Sequence, residues 1–280
     1  MGFRNLLVQI DGGKAAAGRI DAAIGLARGF DAHLTGLVVV GEPRIPGFVM
    51  AQMPAGAWDE TLRRLRAQAE TIADGFIAAA ERAGLTADCR IDSALETEVA
   101  RIVALHARHA DLAILGQADP DDPQPGGAGL IGDVVLSAGR PVLAIPYIGA
   151  GPTLGERVLV AWDGGREAAR ALNDALPFLK RAKTVSVVAI NASRRPYGHG
   201  SQAGADIALH LARHGVKVQA EALEIPDVSV GDTLLSRLAD AAADLLVMGA
   251  YGRSRFSETI LGGATRTILG AMTVPVFMSH

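Results

Sequence analysis

The chain has 280 residues, of which 49% are hydrophobic and 20% are charged, a composition that suits two ordinary folded domains. Its formal net charge of −3 gives no general attraction to nucleic acid or to an anionic membrane surface, so we expect neither partner. No apolar run approaches the roughly 20 residues of a membrane span, and the start shows no signal-peptide pattern. The single cysteine, Cys89, excludes an internal disulfide, and with these features it favours the cytoplasm.

Short apolar runs alternate with helical patterns through the first half of the chain. Strands are predicted at residues 6–10, 33–40, 87–91, 112–115 and 142–145. Helices are predicted at residues 15–30, 58–83, 96–109 and 129–138. Strands separated by helices long enough to cross over indicate a parallel sheet that is covered on both faces. A long apolar loop at residues 41–56 is expected to cover an end of the sheet or a partner.

The second half repeats this plan after a glycine-rich linker at residues 147–155. Its strands are predicted at residues 158–162, 184–190, 217–223, 245–248 and 276–279. Three local motifs recur: an aspartate before two glycines (Asp11, Asp163), an apolar run ending in glycine (Gly116, Gly249), and a proline before a final apolar run (Pro141, Pro275). We therefore predict two homologous domains, at residues 1–149 and 155–280.

A glycine pattern follows the fourth predicted strand of the second half. Gly249 ends the strand, Gly252 follows after two intervening residues, and Gly262 follows after nine more. Glycine can take the left-handed conformations that turn backbone N–H groups inward, and it lets an anion approach a helix N-terminus. In open parallel sheets, ligands lie beyond the carboxyl ends of the strands, where Asp163 is also expected. The pattern thus indicates a phosphate-binding loop with a nearby carboxylate for a ribose or a base, although Asp11 and Asp163 could also simply cap the following helices.

The repeated βαβ plan, Asp163 after an apolar strand and the glycine spacing together resemble the universal stress protein family, as a tandem two-domain member. The resemblance covers nearly the whole chain. It implies an α/β fold of two tandem doubly wound domains, each a five-stranded parallel sheet in the order 3-2-1-4-5 with helices on both faces. It also implies ATP, with or without Mg²⁺, as a ligand. By this resemblance Asp163 would contact the adenosine, backbone near Ile190 the base, and Gly249, Gly252 and Gly262 the phosphates.

The expected site is wider than these positions. It comprises Asp163, Ile190, Gly249, Gly252, Arg253, Gly262, Gly263, Ala264 and Thr265, with no catalytic residue and no metal ligand among the side chains. One departure from the family motif lies here, because the motif ends in glycine followed by serine or threonine, whereas Gly263 follows Gly262 in this chain. Thr265 is expected to supply the hydroxyl one turn later.

The first half departs further from the motif. Asp119 stands where the second glycine would be, and Gly129, followed by Leu130, stands at the third. The loop between Gly116 and Gly129 carries three carboxylates, which would repel a triphosphate, and prolines, which donate no N–H group. A structural or partner-facing role is therefore expected for this half.

The most consistent function is an adenine-nucleotide-binding protein of the stress-response type, in which the C-terminal domain holds ATP as a regulatory ligand. Two alternatives stay open: a nucleotide-independent scaffold, and a slow ATP hydrolase, which would need a general base and a metal ligand beside the phosphates. Each half ends in an apolar strand, and unpaired apolar edges recruit other strands. We therefore expect the two final strands to pair about a pseudo-twofold axis, so that the halves form a pseudo-dimer, with a homodimer of chains also open.

Overall fold

A computed structural model describes residues 2–192, 203–225, 227–252 and 263–280 of the chain. The chain divides into two compact units, Phe3–Ala138 and a second made mainly of Gly139–His280. Among the described residues, no helix combines the length and the apolar character needed to cross a membrane.

The unit Phe3–Ala138 is built on four parallel strands. The strands are β1 (Asn5–Ile10), β2 (His33–Glu42), β3 (Ala87–Leu95) and β4 (Leu112–Gly116). β1 pairs with β2 and β4, and β2 pairs with β3, which gives the order β3-β2-β1-β4. Its helices are α1 (Ala16–Phe30), α2 (Gly47–Met50), α3 (Ala57–Arg82), α4 (Val99–Ala107) and α5 (Leu130–Ala138). Because β1, β2 and β4 are almost entirely buried, they form the apolar centre of this unit, whereas β3 lies partly exposed at the edge.

The unit containing Gly139–His280 has six strands in the described residues. They are β5 (Val142–Ile145), β6 (Arg157–Trp162), β7 (Thr184–Ile190), β8 (Val218–Leu223), β9 (Leu245–Gly249) and β10 (Val276–Ser279). β6 pairs in parallel with β7 and β9, β7 with β8, and β9 with β10. The helices are α6 (Arg166–Asp174), α7 (Leu176–Leu179), α8 (Ala205–Arg213), α9 (Val230–Asp240) and α10 (Gly263–Ala271).

The strand order confirms the predicted fold class. Along the first half of the sequence the order is β3-β2-β1-β4-β5, and along the second half it is β8-β7-β6-β9-β10. Counted from the start of each half, both orders are 3-2-1-4-5, so the chain carries two tandem doubly wound α/β domains. The boundaries at residues 149 and 155 stay a prediction.

β5 belongs to the first half of the sequence but lies in the second compact unit. It runs antiparallel to β10, with Leu143 opposite Phe277. Both side chains are fully buried, and the Phe277 ring meets the edge of Phe178 at a centroid distance of 5.9 Å. The backbone groups of an apolar edge are thereby paired instead of exposed. The predicted pairing of the two final strands is confirmed, and the pseudo-twofold relation between the halves stays a prediction.

We predict that the substitution Phe277→Asp lowers the free energy of unfolding by about 3 kcal/mol or more, because the carboxylate would be buried without a partner. Phe277→Leu is the matched control, since it removes ring volume without adding charge and should cost about 1 kcal/mol. The midpoint of urea unfolding of the full chain, followed by circular dichroism, measures both effects. Equal midpoints for the two variants would contradict the burial of this pair.

Candidate functional site

Three expected site residues lie at neighbouring strand ends. Asp163 follows β6, Ile190 ends β7 and Gly249 ends β9. Because β6 pairs in parallel with both β7 and β9, the carboxyl ends of all three strands lie at one edge of the sheet. The chain winds from β6 to β7 and β8 on one side and then returns to β9 on the other, so the winding direction reverses between β6 and β9. Crevices at such a reversal are the usual ligand positions of open α/β sheets.

Asp163 is half-buried and closes the turn that leads into α6. Its Oδ1 accepts a hydrogen bond of 2.8 Å from the Gly165 N–H, and Gly164 between them has a φ of +72°. This short aspartate turn positions the start of α6 beside the strand ends. Asp163 therefore has a local structural role at the edge where a nucleoside would also be expected, but it is not the helix cap that the sequence left open, because Gly165 is the N-cap of α6.

Gly249 is required by packing between β9 and α6. A Cβ on Gly249 would lie 2.5 Å from the Ala168 backbone nitrogen and 2.6 Å from the Glu167 carbonyl carbon. Neither Gly249 nor Gly252 has a positive φ, whereas Tyr251 between them has a φ of +55°. The expected left-handed conformation of the two glycines is therefore wrong, because the turn uses Tyr251 and the glycines permit close approach instead.

The loop after β9 is tied to the first turn of α10. The Tyr251 N–H donates to Thr265 Oγ1 at 3.3 Å, and Thr265 is buried. A hydroxyl that accepts this bond still has its own proton to donate. Gly263 begins α10 and is exposed, and a Cβ at this position would meet no atom of the described residues within 4 Å. Ala264 follows it in a half-buried position.

The same loop is also fixed to β10 at the chain's last residues. The Ala250 N–H donates to the Ser279 carbonyl oxygen at 2.9 Å, and the Ala250 carbonyl oxygen lies 2.9 Å from His280 Nδ1. Two of the expected site residues, Arg253 and Gly262, lie outside the described residues. In the described part of the chain, no group of three or more histidine, cysteine, aspartate or glutamate residues could hold a metal ion.

Glu167 is a site carboxylate that the sequence reasoning missed. Its side chain is 7% exposed, its Oε1 accepts a hydrogen bond from Arg166 Nε, and its Oε2 lies 3.1 Å from where a Cβ of Gly252 would be. The hydrogen bond to Glu167 and the charge of that carboxylate raise the pKa of Arg166. The available signal was position, because Glu167 lies in the first turn of α6, which begins just after the turn at Asp163.

The equivalent crevice of the first half is filled by an ion pair. Arg19 is 3% exposed, and its Nη2 lies 2.7 Å from Asp11 Oδ2. A Cβ on Gly116 would collide with Arg19 Nη1. In the second half, the residue at the same distance after the aspartate is Ala171, which is fully buried and carries no charged group. A guanidinium group thus lies at the first-half strand ends.

The first-half loop of residues 117–126 folds over the same strand ends. Asp122 Oδ2 accepts a hydrogen bond of 2.7 Å from the Lys14 N–H. A Cβ on Gly13 would lie 3.0 Å from Gln124, and a Cβ on Gly41 would lie 2.8 Å from Pro125. The loop and the buried ion pair occupy the strand ends of the first half, which supports the expectation of a structural or partner-facing role.

Comparisons with known proteins agree with this fold. The family model described as "Universal stress protein family" matches residues 155–280. A universal stress protein from Archaeoglobus fulgidus DSM 4304 is 15% identical, covers 98% of this chain and 97% of its own length, and has a TM-score of 0.73. A functionally unknown protein from Pseudomonas aeruginosa PAO1 is 19% identical, with coverages of 99% and 92% and a TM-score of 0.57.

A third solved structure is described as a universal stress protein in complex with cAMP. It is 17% identical, covers 52% of this chain and 99% of its own, and has a TM-score of 0.32. No curated protein gives a significant match.

The fold and the strand-end crevice define a doubly wound α/β protein with a tandem repeat. The second half, residues 155–280, belongs to the universal stress protein family, and the first half repeats its strand order.

We predict that Gly249→Ala lowers the free energy of unfolding by about 1 to 3 kcal/mol, because the added methyl group would force the α6 backbone away from β9. Gly263→Ala is the matched control, since its methyl group would meet open space. Differential scanning calorimetry of the two variants checks the prediction. It fails if the two substitutions shift the unfolding temperature equally.

Proposed function

We propose that the second half of the chain binds ATP as a regulatory ligand and releases it without appreciable turnover. The observation that carries the proposal is that Asp163, Ile190 and the loop after Gly249 come together at the strand ends where the winding reverses. The start of α10 is attached to the same loop through Thr265. A nucleoside subsite and a backbone-rich anion subsite can therefore share one crevice. The protein would work in the cytoplasm.

The expected site residues that the structure describes have roles that their positions support. Backbone at the end of β7, near Ile190, would meet the base, and the Asp163 carboxylate would accept a hydrogen bond from the ribose. Backbone N–H groups of the loop after β9 and of Gly263 and Ala264 would face the phosphates, with α10 adding the positive end of its dipole. The Thr265 hydroxyl can donate its proton to an anion while it accepts from Tyr251.

The two halves are expected to differ in ligand binding for a physical reason. A triphosphate in the first half would have to displace the buried Arg19 side chain and leave Asp11 without its cation. Breaking such a buried pair typically costs about 3 to 5 kcal/mol. The second half has no such pair beyond its strand ends among the described residues, since Ala171 occupies the position that corresponds to Arg19.

We predict that calorimetric titration of the full chain with ATP gives one site per chain. The substitution Gly252→Asp should abolish binding, because it adds a second carboxylate next to Glu167. Gly129→Asp is the matched control, since it places the same charge in the corresponding loop of the first half and should leave the affinity unchanged. A stoichiometry of two, or loss of binding in the control variant, would contradict this assignment.

Mass spectrometry of protein purified without added nucleotide distinguishes this proposal from a nucleotide-independent scaffold. A retained adenine nucleotide supports binding, and its absence together with a flat titration favours the scaffold. Multiple turnovers per minute in a phosphate-release assay would favour a hydrolase.

We also predict that Gly263→Ser binds ATP at least as tightly as the native chain, and up to several-fold more tightly. The hydroxyl would stand at the start of α10 in open space, and one added hydrogen bond contributes about 0.5 to 1.5 kcal/mol. Gly263→Ala controls for the loss of glycine flexibility. Weaker binding by the serine variant than by the alanine variant would refute the expected role of this position.

A further inference from the structure

The first half of helix α3 carries apolar side chains that the domain does not bury. The buried residues of α3 all lie in its second half, and they are Ala69, Ala73, Phe76 and Ala80. Trp58, Leu62 and Leu65 precede Ala69 at intervals of four, three and four residues, so they continue the same face of the helix. These three side chains are only half-buried, and no residue of 57–68 is buried. The apolar face that packs on the sheet thus extends for about 18 Å more at the start of the helix.

This part of α3 lies beyond the carboxyl ends of the strands. Phe76 packs against β2 itself, since a Cβ on Gly36 would lie 2.7 Å from its ring. Ile72, one turn earlier in α3, is already beside the turn that follows β1, where a Cβ on Gly12 would lie 3.5 Å from Ile72 Cδ1. Because α3 joins two parallel strands, β2 and β3, it runs opposite to them. The residues before Ile72 therefore project past the sheet, where its strands cannot cover them.

Helix α2 adds exposed apolar side chains close to this part of α3. None of its four residues is buried. Phe48 is 71% exposed, and Val49 and Met50 are 39% and 44% exposed. Only residues 51–56 separate α2 from the start of α3. Exposed apolar side chains that are concentrated in one part of a domain are typical of an interaction surface.

The charges beside the apolar face favour a second copy of this chain as the partner. Residues 57–68 include two acidic and three basic side chains, so the segment is close to neutral and gives no strong attraction to an anionic membrane. Asp59 and Arg66 each follow a residue of the apolar face and lie seven residues apart, so they flank that face on the same side. When two such helices pack antiparallel, their flanks on the same side meet. Asp59 of each copy then faces Arg66 of the other.

We propose that two copies of this chain associate through the first halves of their α3 helices, packed antiparallel about a twofold axis. Leu62 of one copy packs beside Leu65 of the other, and Asp59 pairs with Arg66 at two equivalent places. The exposed side chains of α2 extend the apolar contact. The helical contact is only about 18 Å long, so this is a small interface with a dissociation constant in the micromolar range. The association does not depend on nucleotide binding.

Sedimentation velocity of the full chain, at concentrations on the order of 1 to 500 µM to suit a small interface, measures the association. The native chain should change from monomer to dimer as its concentration rises. Leu62→Asp should stay monomeric, because the carboxylate would be desolvated between the two helices. Leu105→Asp is the matched control, since Leu105 is a leucine of α4 that is 38% exposed, and this variant should dimerise like the native chain.

Charge exchange tests the antiparallel arrangement. Asp59→Arg and Arg66→Asp each place like charges opposite one another twice, so each variant alone should dimerise about threefold to tenfold more weakly than the native chain. An equimolar mixture of the two variants should dimerise more strongly than either variant alone, because every contact then joins opposite charges. Both positions are exposed, so these variants decide the question even if thermal unfolding shows that Leu62→Asp does not fold.

Four outcomes overturn the proposal. The first is a native chain that stays monomeric at the highest concentration. The second is a dimer that a folded Leu62→Asp variant still forms. The third is a mixture of the two charge variants that associates no better than either one alone. The last is a monomeric native chain that binds phosphatidylserine vesicles through the same side chains, as judged by loss of binding in Leu62→Asp, which would assign this face to a membrane.

Discussion

Backbone hydrogen bonding on both sides of β6 determines where the groups of the candidate site lie. Parallel pairing of β6 with β7 and with β9 brings the three carboxyl ends to one edge of the sheet. The short turn at Asp163 then starts α6 directly above this edge, and Glu167 enters the site as a consequence. Strands, not loops, therefore set the distances in this crevice, which suits a binding site that must be formed before its ligand arrives.

The two halves share a fold, but different side chains lie beyond the carboxyl ends of their strands. In the first half, Arg19 and Asp11 neutralise each other inside the crevice, and the loop of residues 117–126 covers it. In the second half, a small residue occupies the position of Arg19, and Glu167 adds a second carboxylate beside Asp163 at the strand ends. A buried ion pair of this kind contributes little to stability, but it restricts strongly what else can enter.

Much of the fold could be predicted because buried parallel strands are continuous apolar runs. The strand predicted at residues 6–10 is observed at Asn5–Ile10, and the strand predicted at 276–279 has those bounds. The buried charged side chains at the strand ends could not be predicted in the same way. Arg19 and Glu167 have the sequence character of surface residues on amphipathic helices, and only the rotation of α1 and α6 against the sheet turns them inward. Likewise, no pattern indicated that Tyr251 would take the left-handed conformation.

Gly249 shows that packing alone can require a glycine that belongs to a ligand-binding motif. The end of β9 has no room for a side chain because α6 passes too close, whether or not a ligand is present. Gly116 in the first half meets the same kind of restriction from Arg19, in a crevice that is already filled. The first glycine of the motif is therefore required by the packing of the domain. A domain of this fold that binds no ligand would still need a glycine there. Evidence for a nucleotide must come from the positions after this glycine, where the fold itself makes no such demand.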